Sequence, residues 1–160
     1  MRPGPQCLQF METLSPQYHR GSIQPTKVAG VYLITLVHRS DARGPLAILG
    51  QDSAPLPFNP ARIFFTYHAN QHARGAHAHR VCEQILICTA GRLKVLVNDG
   101  KSEEIFDLTG PEHALQIGPM VWAEQFDHEP GSVLAVLASH PYDEKDYIRE
   151  SALWRQELPP

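Results

Sequence analysis

The chain has 160 residues, 42% apolar and 19% charged, which suits one domain able to close a core and excludes a disordered tail. Its 14 Lys and Arg against 17 Asp and Glu give a formal charge of −3, without the basic excess of a nucleic-acid-binding domain. No stretch approaches the roughly 20 consecutive apolar residues of a spanning helix, and Pro3, Gly4, Pro5 and Gln6 lack the apolar core of a secretion signal. Cys7, Cys82 and Cys88 are odd in number and have no CxxC spacing. The expectation is a soluble, cytoplasmic protein with reduced thiols and with neither a membrane nor a nucleic-acid partner.

Along the chain, Met1 to Pro25 mixes Pro, Gln, Ser and His with few periodic apolar positions and reads as an extension. Residues 26–160 then read as a single domain. Short β-rich runs follow at Val31–His38, Leu46–Leu49, Ala61–His68, Gln84–Thr89, Leu93–Asn98, Glu104–Leu108, Ala114–Ile117, Val121–Phe126 and Val133–Ser139. Turn signals separate them, among them Asp41-Ala-Arg-Gly44, Asn98-Asp-Gly100 and Glu129-Pro-Gly131. Fourteen prolines and eleven glycines spread between the runs fit many turns and few helices. Strands at this spacing without intervening amphipathic helices predict an all-β sandwich or barrel. Only Asp143–Leu158 carries a helical pattern, with Ile148, Ala152 and Arg155 on one stripe.

Titratable groups crowd at His68, His72, Arg74, His77, His79 and Arg80. If the last of these form a strand, His77 and His79 share one face while Ala76 and Ala78 occupy the other. A lone histidine is more often a satisfied structural residue; two on one face, flanked by alanines, favour a pocket.

The sequence resembles the sugar 3,4-ketoisomerases of the WxcM-like cupins. The resemblance rests on Leu56-Pro-Phe58, Arg62-Ile-Phe-Phe, Arg74-Gly-Ala-His-Ala-His79, Gln84-Ile-Leu-Ile-Cys88, Ile117-Gly-Pro-Met-Val-Trp122, Val136-Leu-Ala-Ser139 and Tyr142-Asp-Glu-Lys-Asp-Tyr-Ile-Arg149. It spans the chain from about Val31 to Trp154. It implies a cupin jelly-roll barrel with a short C-terminal helix, a homodimer with exchanged N-terminal strands, and a metal-independent isomerase without cofactor. The implied substrate is a dTDP-linked 4-keto-6-deoxyhexose, dTDP-4-keto-6-deoxyglucose, whose ketone moves from C4 to C3 in 3-amino deoxysugar synthesis. The cupin metal pattern is broken here. Gln84 stands at the expected glutamate and Trp122 near the expected last histidine, and Glu83, one residue away, faces the other side of a strand.

By resemblance His79 is the leading base and His77 its neighbour, with Arg74 holding an enolate oxygen or the pyrophosphate, or else only a loop salt bridge. Gln84, Trp122 and Arg43 are further substrate-binding candidates, with core packing the competing reading for Trp122 and a surface ion pair with Asp41 for Arg43. Relatives carry a tyrosine in the strand that matches Ile63-Phe-Phe65; Phe64 and Phe65 cannot donate a proton, so Tyr67, on the face of Phe65, becomes the candidate acid. Alternatives from other classes are a nucleotide-sugar epimerase, a non-catalytic nucleotide-sugar-binding cupin, and a metal-dependent cupin that would need His113 as a third ligand.

Overall fold

A computed structural model describes residues 17–51, 53–67 and 72–159. The strands are β1 (Gln17–His19), β2 (Ser22–Pro25), β3 (Val31–Thr35), β4 (Val37–Asp41), β5 (Gly44–Ile48), β6 (Arg62–Tyr67) and β7 (Arg74–His79). They continue as β8 (Gln84–Ala90), β9 (Leu93–Asn98), β10 (Glu103–Leu108), β11 (His113–Ile117), β12 (Trp122–Phe126), β13 (Val133–Ala138) and β14 (Tyr147–Ile148). One α-helix, α1 (Ser151–Glu157), closes the described chain. None of the described helices is long and apolar enough to cross a membrane.

All pairings are antiparallel. A six-stranded sheet runs β2-β3-β11-β8-β13-β6 and a five-stranded sheet runs β10-β9-β12-β7-β14. Period-two burial explains how they pack. In β9, Leu93, Val95 and Val97 are buried while the residues between them are half-buried, and the inward sets of both sheets meet in one apolar cluster. That cluster takes Leu86 and Cys88 from β8, Leu115 and Ile117 from β11, and Leu134 and Val136 from β13. The all-β, jelly-roll expectation is met.

The small sheet β1-β4-β5 covers the outer face of the six-stranded sheet, with Leu36, Val37 and Ala54 against Ile34, Ile85 and Ala114. Predicted strand Val31–His38 is therefore two strands in different sheets, and the chain switches between them at Leu36, whose N–H donates to Glu112. Residues 17–25, read as part of an extension, form β1 and β2, which pair with β4 and β3 of the same chain. Residues 1–16 lie outside the described residues.

The predicted helix Asp143–Leu158 is three elements. A 3-10 turn at Glu144–Asp146, capped by the Asp143 side chain, leads into β14, and only then does α1 begin. Pairing supplies the reason: Tyr147 lies opposite His79 and Ile148 opposite Ala78, so this segment is extended against β7. Ile148 and Trp154 then bury with Ala78 and Trp122 on the outer face of the five-stranded sheet.

Candidate active site

The site is built on β7, whose backbone is irregular where it must be. Pairing with β12 shifts register between Ala123 opposite His77 and Gln125 opposite Arg74, a bulge that contains Gly75 at φ +88°. A side chain there would be strained in this left-handed conformation, and its Cβ would stand 3.3 Å from the Ala123 carbonyl oxygen. Past the bulge, His77 and His79 share the interior face, as their alternation predicts, and Ala78 turns outward into the Trp122 cluster.

Each imidazole is held through Nδ1. His77 Nδ1–H donates to the Gly75 carbonyl, which can only accept, so His77 Nε2 carries the lone pair. His79 Nδ1 lies 2.7 Å from Asp146 Oδ2, and both side chains are almost fully buried. The other oxygen, Asp146 Oδ1, accepts the Val81 N–H at 2.7 Å. His79 Nε2 then accepts from Gln84 Nε2 at 3.0 Å and stands 3.2 Å from His77 Nε2.

Burial dominates the electrostatics. It pushes His77 down to about 4, helped by neighbouring His79 and by the Arg149 and Arg62 charges, with Asp146 opposing. Burial also lowers His79, against the hydrogen bond that its Nδ1–H donates to Asp146. For Asp146 burial alone would raise the carboxyl, but the Val81 N–H and His79 hold it below the usual carboxylate range. At neutral pH the pair is uncharged, the form that accepts a proton.

Around the pair stands a group that sequence reasoning left without chemistry. The Tyr147 ring centroid is 4.3 Å from that of His79 and 5.0 Å from that of His77. Arg62 Nη2, from the edge strand of the opposite sheet, donates to the Tyr147 hydroxyl at 2.9 Å, and the Arg149 guanidinium lies 4.5 Å over the Tyr147 ring. Asp146, Tyr147 and Arg149 all belong to the string Tyr142–Arg149, and the signal that separates them is the pairing of β14 with β7.

Of the sequence candidates, His77, His79 and Gln84 come together. Tyr67 does not join them. β6 turns Arg62, Phe64 and Thr66 inward and Ile63, Phe65 and Tyr67 outward, and Tyr67 is 63% exposed on the outer surface. Trp122 faces outward too, buried against Trp154 at 5.6 Å between ring centroids, as the core reading has it. Arg43 sits in the β4–β5 turn, bonded to Asp41 at 2.6 Å with an exposed side chain. Arg74 is exposed at the start of β7; the cations that bear on the imidazoles are Arg62 and Arg149. Arg80 ties β7 to α1 through Glu157 at 2.6 Å, and His68 lies outside the described residues. His113 lines a separate cleft with His19, His38 and Glu112.

Among the described residues one set could ligate a metal ion: His79, Cys82 and Asp146 bring their donor atoms within 4.8 Å of one another. Its nitrogen and carboxylate are already hydrogen-bonded to each other, and the Arg62 charge acts on the neighbouring Cys82. That arrangement suits holding a proton better than holding a cation.

A family model described as FdtA, WxcM-like, C-terminal, matches residues 29–158. The chain belongs to this family. A TDP-4-oxo-6-deoxy-alpha-D-glucose-3,4-oxoisomerase of Aneurinibacillus thermoaerophilus is 37% identical over 111 residues, 69% of this chain and 79% of that protein. A variant of the 3,4-ketoisomerase QdtA from Thermoanaerobacterium thermosaccharolyticum, solved with TDP-4-keto-6-deoxyglucose, superposes with a TM-score of 0.76 at 35% identity, covering 82% of this chain and 95% of that one. The TDP-quinovose 3,4-ketoisomerase WlaRB of Campylobacter jejuni gives 0.75 at 33% identity over 81% and 100%. This FdtA-family chain is thus a cupin-fold sugar 3,4-ketoisomerase.

Proposed function

We propose that the chain converts TDP-4-keto-6-deoxyglucose to its 3-keto isomer through an enediol, with the buried His77–His79 pair moving the carbon-bound proton. The observation that carries this is the pair itself: two uncharged imidazoles, Nε2 facing Nε2 at 3.2 Å, backed by a carboxylate. Removal of the C3 proton and its return at C4 need a base that becomes the acid, and a neutral imidazole does both.

His77 is the member assigned to the carbon-bound proton, in place of the expected His79. Both nitrogens of His79 are engaged, Nδ1 with Asp146 and Nε2 with Gln84, whereas among the described residues His77 Nε2 has only His79 within hydrogen-bond reach. His79, held by Asp146, then fixes the setting of the His77 ring, and the nearby Asp146 carboxylate favours the charge that His77 acquires. A homodimer is part of this reading; the exposed apolar residues Ile63, Phe65 and Tyr67 on edge strand β6 support it. The test is product analysis by NMR with TDP-4-keto-6-deoxyglucose. His77→Asn is expected to lower turnover by about 1000-fold or more, and His79→Asn by about 10–100-fold. Wild-type turnover in His77→Asn would remove it from the reaction.

A further inference from the structure

Moving a ketone between adjacent carbons needs two proton transfers at oxygen as well as two at carbon. The base takes H–C3, yet the C4 carbonyl oxygen must gain a proton and the C3 hydroxyl must lose one. The His77–His79 pair accounts only for the carbon side. Phe64, the inward aromatic of β6, has no proton to give, and Tyr67 is on the outside.

The space available limits where the sugar can stand. The interior void that His77, His79 and Gln84 line with Leu86, Ile117 and Val121 encloses only about 10 Å³, too little for a sugar ring. A sugar ring needs a stance outside this void, and Tyr147, Arg62 and Arg149 gather beside the pair where the edge strands β14 and β6 come together. Tyr147 is opposite His79 in the ladder, so the two side chains leave the same face of the sheet. Its ring lies against both imidazoles, and its hydroxyl is a polar group able both to give and to take a proton. The guanidinium of Arg62 donates to the same oxygen, and Arg62 Nε is buried without a partner.

We infer that Tyr147, positioned by Arg62, carries the oxygen-side proton of the isomerisation, an inference that rests on the ketoisomerase reading above. As His77 Nε2 takes the C3 proton, the C3–H electron pair forms the C3=C4 double bond, the C4=O π pair moves onto oxygen, and that oxygen takes the Tyr147 phenol proton. The products are the enediol, a protonated His77 and a phenolate whose charge the Arg62 guanidinium balances. In the return step the phenolate takes the proton from the C3 hydroxyl, C3=O forms, and the C3=C4 π pair takes the proton from His77 at C4. Both side chains end as they began, and no other reactant is needed.

Tyr147→Phe tests this, because it keeps the ring against both imidazoles and deletes only the hydroxyl. With TDP-4-keto-6-deoxyglucose the variant is expected to lose about 100-fold or more in kcat with KM within about threefold, at an unchanged melting temperature. Arg62→Gln, which leaves the phenol and removes its cationic partner, is expected to lose about 10-fold or more in kcat. Wild-type kcat in a folded Tyr147→Phe overturns the inference and leaves the ketoisomerase reading standing; should that variant fail to fold, wild-type kcat in Arg62→Gln overturns it. A wild-type chain that does not move the ketone overturns both.

Discussion

Protonation of His77 is disfavoured chiefly by its burial, which sets how activity and stability respond to acid. With His77 held at about 4 the base stays free well below neutrality, so kcat/KM is expected to keep its acid limb near pH 4–5; a limb at 6.5 would contradict the assignment. Stability follows with a definite sign. The unfolded chain binds a proton at His77 below about 6.5 and the folded one only near 4, so stability is complete above 6.5 and falls as pH drops between those values. The lowered His79 and His128 act in the same direction. His77 and His79 were legible in the sequence because strand alternation puts them on one face, and Gln84 because it stands where the cupin metal pattern has its glutamate. Tyr67 was misread, since a period of two says which residues share a face and not which face is inside. Phe64 rather than Phe65 is the inward aromatic, and that follows only from the pairing of β6 with β13.

At the level of elements the strands were readable from β-branched runs and turn residues, to within a residue or two for β9 to β13. The C-terminal segment was not, because its acidic start and apolar spacing imitate a helix while pairing with β7 holds Tyr147 and Ile148 extended. That pairing brings Asp146 to His79, so the misread helix and the missed carboxylate have one cause. Two substitutions probe how elements aim the site. Gly75→Ala places a Cβ at positive φ in the bulge that orients His77, and is expected to cost about 1–2 kcal/mol in unfolding by denaturant together with a loss in kcat. Trp154→Ala empties the cluster that clamps α1, β12 and β14 together. Trp154 is 2% exposed and its Nε1–H donates to Met120 at 2.7 Å, while the Met120 N–H bonds the His79 carbonyl. A cost of about 3–5 kcal/mol is expected by the same denaturant titration.

For the whole molecule, two antiparallel sheets share one apolar core, and their edge strands β6 and β14 come close enough for Arg62 of one to bond Tyr147 of the other. The chemistry sits where the sheets meet, built from the consecutive strands β6, β7 and β8 together with β14 near the C-terminal end of the described chain. No local pattern announces the meeting with β14 and the β6 edge, which is why the strand-borne histidines and Gln84 were visible in the sequence while Asp146, Tyr147 and Arg62 were not. The most direct test is to mix the full chain with TDP-4-keto-6-deoxyglucose in deuterated water and follow the sugar by NMR. A 3-keto product is expected. Loss of the C3 proton to solvent without migration of the ketone, or tight binding with no exchange at all, would contradict the ketoisomerase assignment.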